Sequence, residues 1–500
     1  MTKLVPRWYQ KADIAQAVKG YKGSHLFGDG MGTGKTLNAV EVSRQLKAKR
    51  VLIIAPLGTH DGWTSTIKRQ ISGAQVFAHP PGSSKSPMAK EWWTRVADQR
   101  EGYYLIGWEA FRGTPSPEQR RKRKEDKEYR LAVGMPAPPQ EVNRVWYPTG
   151  EWDLVIADEV HRACNRKSST WKTLCTVVAK RKLALSGTPA GNKIEGFWAV
   201  LHWLWPDEHP YFWPWVSKYC LTELDPHAGR KVVAEMEPGM VSKSIPSYSR
   251  RTLDEVAADL PEVIERKIMV DLKGGVQKKA YEELEDQAFT WLEGQPLHTP
   301  VPITMSMRLR QIALGVPRVT VTDEVDEDGN PKVVVDFARE AKSNKIDALK
   351  DIITDIPEDE PVLIFTHSAR FVVPVVYQLN KMKAGLAVAW TGDTSQKGRN
   401  AIKKDFGRKG GPRFIVAGIA AIGEGVDGLQ KRCSHEIWLS QHDNNMLNMQ
   451  AQGRLHRSGQ TKPVQRWVIQ SRGTVDVRVY TRLEGNAKQM KAAYRKENPR

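Results

Sequence analysis

Short apolar, β-rich runs alternate with helical patterns twice along this 500-residue chain, and that rhythm restricts the fold more than any other feature. The first series is VLIIA (51–55), YYLI (103–106), DLVIA (153–157) and KLALS (182–186). Strands buried on both faces read as unbroken apolar runs, so intervening helices must cover a parallel sheet on both sides. After a different middle stretch the rhythm returns in PVLIFT (361–366), LAVAW (386–390), RFIVA (413–417), HEIWL (435–439) and QRWVI (465–469). An α/β fold with two parallel-sheet lobes in tandem follows, consistent with a length too great for one ordinary core.

The expected organisation is a first lobe over 1–194, a mainly helical region over 195–341, a second lobe over 342–472, and a C-terminal helix with a basic tail over 473–500. The middle region opens on GFWAVLHWLWPDEHPYFWPW, whose Trp198, Trp203, Trp205, Trp213 and Trp215 are expected to fill a helical core rather than stack on nucleobases. Alternating residues around an acidic Asp-Gly-Asn turn predict a hairpin over 319–337. Within the first lobe, 113–150 is rich in proline and charge and includes RRKRK (120–124). A basic run of this kind suits phosphate contact and a solvated loop equally, so no chemistry is assigned to it.

An excess of 76 Lys and Arg over 57 Asp and Glu, net +19, suits a polyanionic partner, with nucleic acid the leading candidate. The four cysteines, Cys164, Cys175, Cys220 and Cys433, form no C-x-x-C pair and have no histidine at metal-finger spacing. Zinc and a disulfide framework are therefore not expected. The N-terminus lacks the apolar core of a signal peptide and no run approaches the ~20 residues of a membrane span. A cytoplasmic location is expected.

Chemistry concentrates in five places. DGMGTGKT (29–36) follows an apolar run and precedes a helical pattern, so its backbone N–H groups can cradle phosphate at a helix N-terminus. Lys35 would reach the outer phosphates and the Thr36 hydroxyl would ligate Mg2+. Taken alone, the loop leaves a structural glycine turn open. At the end of DLVIA, Asp158 and Glu159 place two carboxylates at a strand's C-terminal edge, where Asp158 would hold the metal through water and Glu159 would activate the attacking water. LSGTPAGN (185–192) follows the next strand and suits a turn that senses nucleotide state. Further on, Arg454 and Arg457 sit three apart in QAQGRLHRSGQ (450–460); on a helix they would face the same way and stabilise a phosphoryl transition state. The amide of Gln10 in VPRWYQ could read an adenine edge.

Taken in order, these segments resemble the Swi/Snf family of superfamily-two helicase-like ATPases over nearly the whole chain, in a compact form like the solitary versions of phages and bacteria. The family's loop reads D-x-M-G-x-G-K-T, which accounts for Asp29 where a general P-loop begins with glycine. Similar segments are PLGTHDGW (56–63), IGWEAFR (106–112), SRRTLDEVAADLP (249–261), MRLRQIA (307–313), SNKIDALKDII (343–353), AIGEGVDGL (421–429) and GTVDVRVYTRL (473–483).

The resemblance implies two RecA-like lobes with MgATP bound in the cleft between them. It implies that Asp29, Gly30, Met31, Gly32, Thr33, Gly34, Lys35 and Thr36 bind the nucleotide, with Gln10 on adenine. It gives Asp158 and Thr36 the metal, Glu159 the water, and Gly425 and Asp427 the ribose side or relay of nucleotide state, with Arg454 and Arg457 completing the site. Thr366, His367 and Trp108 lie near segments that track the nucleic-acid backbone. The implied activity is a DNA-stimulated ATPase that translocates as a monomer on duplex or branched DNA, with fork remodelling or protein displacement as outcomes. A strand-separating DNA or RNA helicase and an ATP-gated DNA clamp with little turnover are the rival readings.

Overall fold

A computed structural model describes residues 3–82, 86–113, 144–225, 229–257, 260–272, 274–292, 295–298, 302–325, 331–383, 385–423 and 428–494, with a few isolated positions between 121 and 142. The chain forms two compact units, Met1–Ala258 with Lys488–Arg500, and Asp259–Ala487. Most of the charged stretch 113–150 and the acidic tip of the 319–337 segment lie outside the described residues.

In the first unit a seven-stranded sheet runs in the order Val76–Ala78, Gly102–Ile106, Arg50–Ile54, Leu154–Asp158, Lys182–Leu185, Ser24–Phe27, Tyr248–Ser249. Every pairing is parallel. The pleat sends Val51, Ile53, Leu154 and Ile156 into one apolar layer and Leu52, Ile54, Val155 and Ala157 into the other, which is why these strands read as unbroken apolar runs. Trp198, Trp203, Trp205 and Trp215 are buried in the second layer, whereas Trp213 is exposed.

The second unit holds a six-stranded parallel sheet, ordered Val263–Val270, Val464–Ser471, His435–Trp438, Val362–Thr366, Phe414–Gly418, Ala387–Trp390. Its first strand comes from the middle region, pairing with Val464–Ser471 along all eight of its residues. The middle stretch carries helices such as Gly196–Leu204, Val276–Gln287 and Pro302–Leu314. It also contributes antiparallel strand pairs at Cys220–Asp225 with Gly229–Glu235, Phe289–Leu292 with Gln295–His298, and Arg318–Val325 with Pro331–Asp336. The last pair flanks the acidic turn of the 319–337 segment, which itself lies outside the described residues.

Two buried cations of this unit are paired. Lys345 donates to Leu439 O (2.6 Å) and to the Asp476 carboxylate, while Arg310 bonds Asp443 and Gln441 O. These contacts tie the helices Pro302–Leu314 and Asn344–Thr354 to the end of strand His435–Trp438. The C-terminal helix spans Val475–Tyr494. Among the described residues no helix is long and apolar enough to cross a membrane.

Burial holds six histidines neutral: His60, His79, His209, His367, His435 and His442 all have depressed pKa values, that of His209 near 4. A base depressed in the fold leaves the unfolded chain binding more protons below about pH 6.5, so its stabilising effect is present above that pH and lost on acidification. Because the raised Asp158 pKa pulls the other way over the same range, the histidine effect is read as a difference: between about pH 7.5 and pH 5 a His209→Gln chain is expected to lose less melting temperature than the native chain, followed by circular dichroism. An equal change in both chains would contradict the neutral burial of this ring.

Candidate nucleotide-binding and hydrolytic site

The phosphate loop leaves the sheet after Phe27 and enters the helix Lys35–Gln45. Gly32 and Gly34 have φ of +78° and +87°, the left-handed region that costs a residue with a β-carbon about 1–2 kcal/mol. At Gly34 a β-carbon would also meet Gln10 Nε2 at 2.5 Å. Gln10 Nε2 donates to Thr33 O (3.2 Å) and Gly34 O (3.4 Å), while its Oε1 accepts from Arg7 N (2.9 Å). Tyr9 OH adds a bond to Thr33 O (3.0 Å) and Thr33 Oγ1 donates to Gly30 O (2.9 Å), so the loop is braced from both sides. Lys35 Nζ donates to Asp29 O (2.7 Å) and Gly30 O (2.8 Å). Burial pushes its pKa down against the raising influence of Glu159, Asp29 and Asp158. Thr36 is the second residue of the helix and Met31 is half-buried in the loop.

Asp158 ends its strand and Glu159 follows in a left-handed conformation, φ +52°. Such a backbone in a non-glycine residue marks stored strain of the kind that collects at functional sites. Both carboxylate oxygens of Asp158 accept a hydrogen bond: Oδ2 from Trp63 Nε1 (2.9 Å) and Oδ1 from Glu159 N (3.0 Å). Burial, then the neighbouring Glu159 charge, pushes the Asp158 pKa up to about 7. A buried carboxylate beside a second one, with further lone pairs to offer, is a donor set that fits a divalent cation arriving with its waters and a nucleotide. His161 Nδ1 lies 3.2 Å from Glu159 Oε2 and 3.0 Å from Ser186 Oγ, which in turn accepts from Thr188 N (3.1 Å). The DEVH turn is thereby joined to the LSGTPAGN turn.

Register explains why these groups meet. Phe27 and Asp158 both pair with Leu185, so the phosphate loop, the SGT turn and the carboxylate pair emerge from three adjacent strands at one edge. Open parallel sheets place ligands at this carboxyl edge.

Sequence reading missed the residues that support this edge. Trp108, expected near nucleic acid, is buried and donates from Nε1 to the Asp158 carbonyl (2.9 Å). Arg250 bonds Gly28 O and donates to Gly187 O (2.8 Å), and Gly30 N donates to Arg251 O (2.7 Å). Tyr494 lies beneath them: its OH donates to Gly191 O (3.1 Å), its carbonyl accepts from Tyr248 OH (3.3 Å), and the Arg250 guanidinium sits 5.2 Å from its ring. Asp29 is buried, with Oδ2 3.4 Å from Ser249 Oγ, and burial raises its pKa. The only signals available were the aromatics of PLGTHDGW and IGWEAFR and the arginine pair of SRRT.

In the second unit the helix Asn445–Gln452 stops at Gly453, and Arg454 and Arg457 lie in the turns that follow rather than on a helix. The same-face expectation based on helical spacing is corrected accordingly. Arg454 donates from Nε to Gln450 O (3.0 Å) and from Nη2 to Gly423 O (3.0 Å), which fixes it against the start of the AIGEGVDGL segment. Gly425 and Asp427 lie outside the described residues. Thr366 is buried and His367 half-buried, and both are within hydrogen-bonding distance of Ser440 Oγ (3.3 and 2.7 Å).

The chain matches the SNF2-related domain over residues 9–314 and the helicase conserved C-terminal domain over residues 344–459. Similar curated proteins include the chromatin-remodeling ATPase INO80 of Schizosaccharomyces pombe, 24% identical over 52% of this chain and 15% of that protein. The protein of the same name from Debaryomyces hansenii is 26% identical over 52% of this chain and 18% of its own length. The chain thus spans less than about a fifth of the length of these relatives. Among solved structures, the Sulfolobus solfataricus SWI2/SNF2 ATPase core in complex with dsDNA aligns with 98% of this chain and 93% of its own, at 18% identity and a TM-score of 0.38.

Replacing Gly34 with alanine is expected to cost about 1–2 kcal/mol of stability and to weaken ATP binding at least about tenfold, because the new methyl group must displace the Gln10 amide. Paired thermal melts and nucleotide titrations measure both; native affinity in a folded Gly34→Ala chain would show that the Gln10 contact does not shape the loop.

Proposed function

The chain belongs to the SNF2-related, Swi/Snf branch of superfamily-two helicase-like ATPases, and from that premise we propose that it is a DNA-stimulated ATPase that translocates on duplex or branched DNA. The observation that carries this reading is the meeting of Lys35, Asp158 and Glu159 at one sheet edge, through the shared register of Phe27 and Asp158 with Leu185. Phosphoryl transfer asks a protein mainly for positioning and charge. The backbone of Asp29–Thr36 cradles the phosphates and Lys35 exchanges its bonds to Asp29 O and Gly30 O for phosphate oxygens. Thr36 and Asp158 hold Mg2+, which when bound offsets the charge of the phosphate oxygens. Glu159, kept in place by its strained backbone and by His161, orients the attacking water and takes its proton. Gln10 fixes the loop and retains a carbonyl lone pair for the adenine amine.

Arg454 and Arg457 are assigned the spread charge of the transition state, a role in which an arginine contributes on the order of 1000-fold or more in rate. The His161–Ser186 contact couples the carboxylates to the SGT turn and supplies a route by which nucleotide state alters the grip on DNA. That grip is made mainly to backbone phosphates by a chain of net charge +19, so it is largely insensitive to sequence and weakened by salt. Stepping follows from alternating grip during turnover. The chain acts as a monomer in the cytoplasm.

Phosphate release should rise severalfold with duplex or forked DNA over DNA-free enzyme. A chain that binds ATP and DNA without such a rise is a nucleotide-gated clamp, and displacement of a strand from blunt duplex would identify a separating helicase. Glu159→Gln should retain ATP binding and lose at least about 100-fold in turnover. Arg454→Ala should retain DNA affinity and lose at least about 1000-fold in hydrolysis. Near-native turnover in either variant would remove that residue from its assigned role.

A further inference from the structure

We propose that Trp8 is the stacking platform for the nucleobase of the bound nucleotide, held in position by Arg251; the inference rests on the nucleotide-binding reading above and adds a residue to it.

Trp8 opens the helix Trp8–Lys19 and is 68% exposed, while the next two residues, Tyr9 and Gln10, are buried against the phosphate loop. An indole so exposed beside buried neighbours is not there for packing: its ring meets Tyr9 edge-on at 5.7 Å and leaves most of its surface to solvent. Its location is tied to the phosphate site from two directions. Through the adjoining residue, Tyr9 OH bonds Thr33 O at 3.0 Å. Through Arg251, whose guanidinium lies 6.0 Å from the Trp8 ring centre, the tie runs to Gly30, since the Arg251 carbonyl accepts from Gly30 N at 2.7 Å.

Arg251 is itself anchored, with Nη2 3.6 Å from the buried Asp13 carboxylate. A guanidinium beside an aromatic ring holds the ring by cation–π attraction and presents positive charge next to whatever stacks there. The arrangement therefore offers a flat, solvent-open π surface at the rim of the phosphate loop, two residues from the Gln10 amide that braces that loop. Gln10 supports this assignment by what it lacks. Its amide nitrogen is spent on Thr33 O and Gly34 O and its oxygen already accepts from Arg7 N, so a single carbonyl lone pair remains to hold a base by its edge. Affinity for the base then comes from its face, and stacking tolerates any purine.

The test compares ligands with and without a base on the complete chain. ADP, ATP and inorganic tripolyphosphate are titrated against native protein, Trp8→Ala and Trp8→Phe, with thermal melts to confirm folding of these surface variants. Trp8→Ala is expected to weaken ADP and ATP about tenfold and leave tripolyphosphate within about twofold, with Trp8→Phe recovering most of the loss. Unchanged ADP affinity, equal weakening of ADP and tripolyphosphate, or no recovery with phenylalanine would overturn the proposal, as would loss of DNA affinity with nucleotide affinity intact. Failure of the broader reading has a separate signature: native protein would lack DNA-stimulated phosphate release whatever residue occupies position 8.

Discussion

Three parallel strands in common register are the constraint on which the rest of the first unit depends. Ser24–Phe27, Lys182–Leu185 and Leu154–Asp158 lie side by side, and adjacent strands are separated by about 4.8 Å. The backbone that leaves them therefore begins within roughly 10 Å of a common point. No loop need reach far, and none is long: the phosphate loop closes into its helix by Lys35 and the acidic turn by Val160. A slip of one residue in any of these pairings would turn the strand's apolar set to the wrong layer, so the two cores that flank the sheet also guard the alignment of the site.

On that frame the charges are arranged in opposition. Burial raises Asp158 and Asp29 and lowers Lys35, so each group's ionised form depends on the others. Two indoles, Trp63 and Trp108, donate to the side chain and the backbone of Asp158 without adding charge. This keeps the strand end rigid while leaving its electrostatics to be completed by phosphate and cation. The left-handed Glu159 belongs to the same design: its N–H is used by Asp158 and its carboxylate lies beside His161, so the surrounding contacts hold a conformation that would relax in isolation.

The sheet strands were legible because parallel strands covered on both faces are continuous apolar runs, and the phosphate loop and DEVH turn because glycine conformation and paired carboxylates require those residue types locally. What escaped reading has non-local causes. Arg250 and Tyr494 act on Gly28, Gly187 and Gly191, partners as many as three hundred positions away, and nothing in their neighbourhood announces it. Val263–Val270 carries Glu265, Arg266 and Lys267 at its exposed centre, so it does not stand out as a sheet strand and falls within the stretch expected to be mainly helical. Arg454 and Arg457 looked helical by spacing; Gly453 ends the helix first, as glycine commonly does at a C-terminus.

The return of Tyr494 to the first unit has a consequence for how the molecule is made. By Ser249 a growing chain has all seven strands of the first sheet, yet the aromatic layer beneath Gly191 and Tyr248 still lacks the ring that completes it. The second sheet cannot close until Ser471 has emerged to pair with Val270. Domains generally fold in the order of their synthesis. Here the earlier-made unit waits for a residue translated 246 positions after Tyr248, so a nascent polypeptide assembles its phosphate cradle well before the tyrosine that underpins it leaves the ribosome.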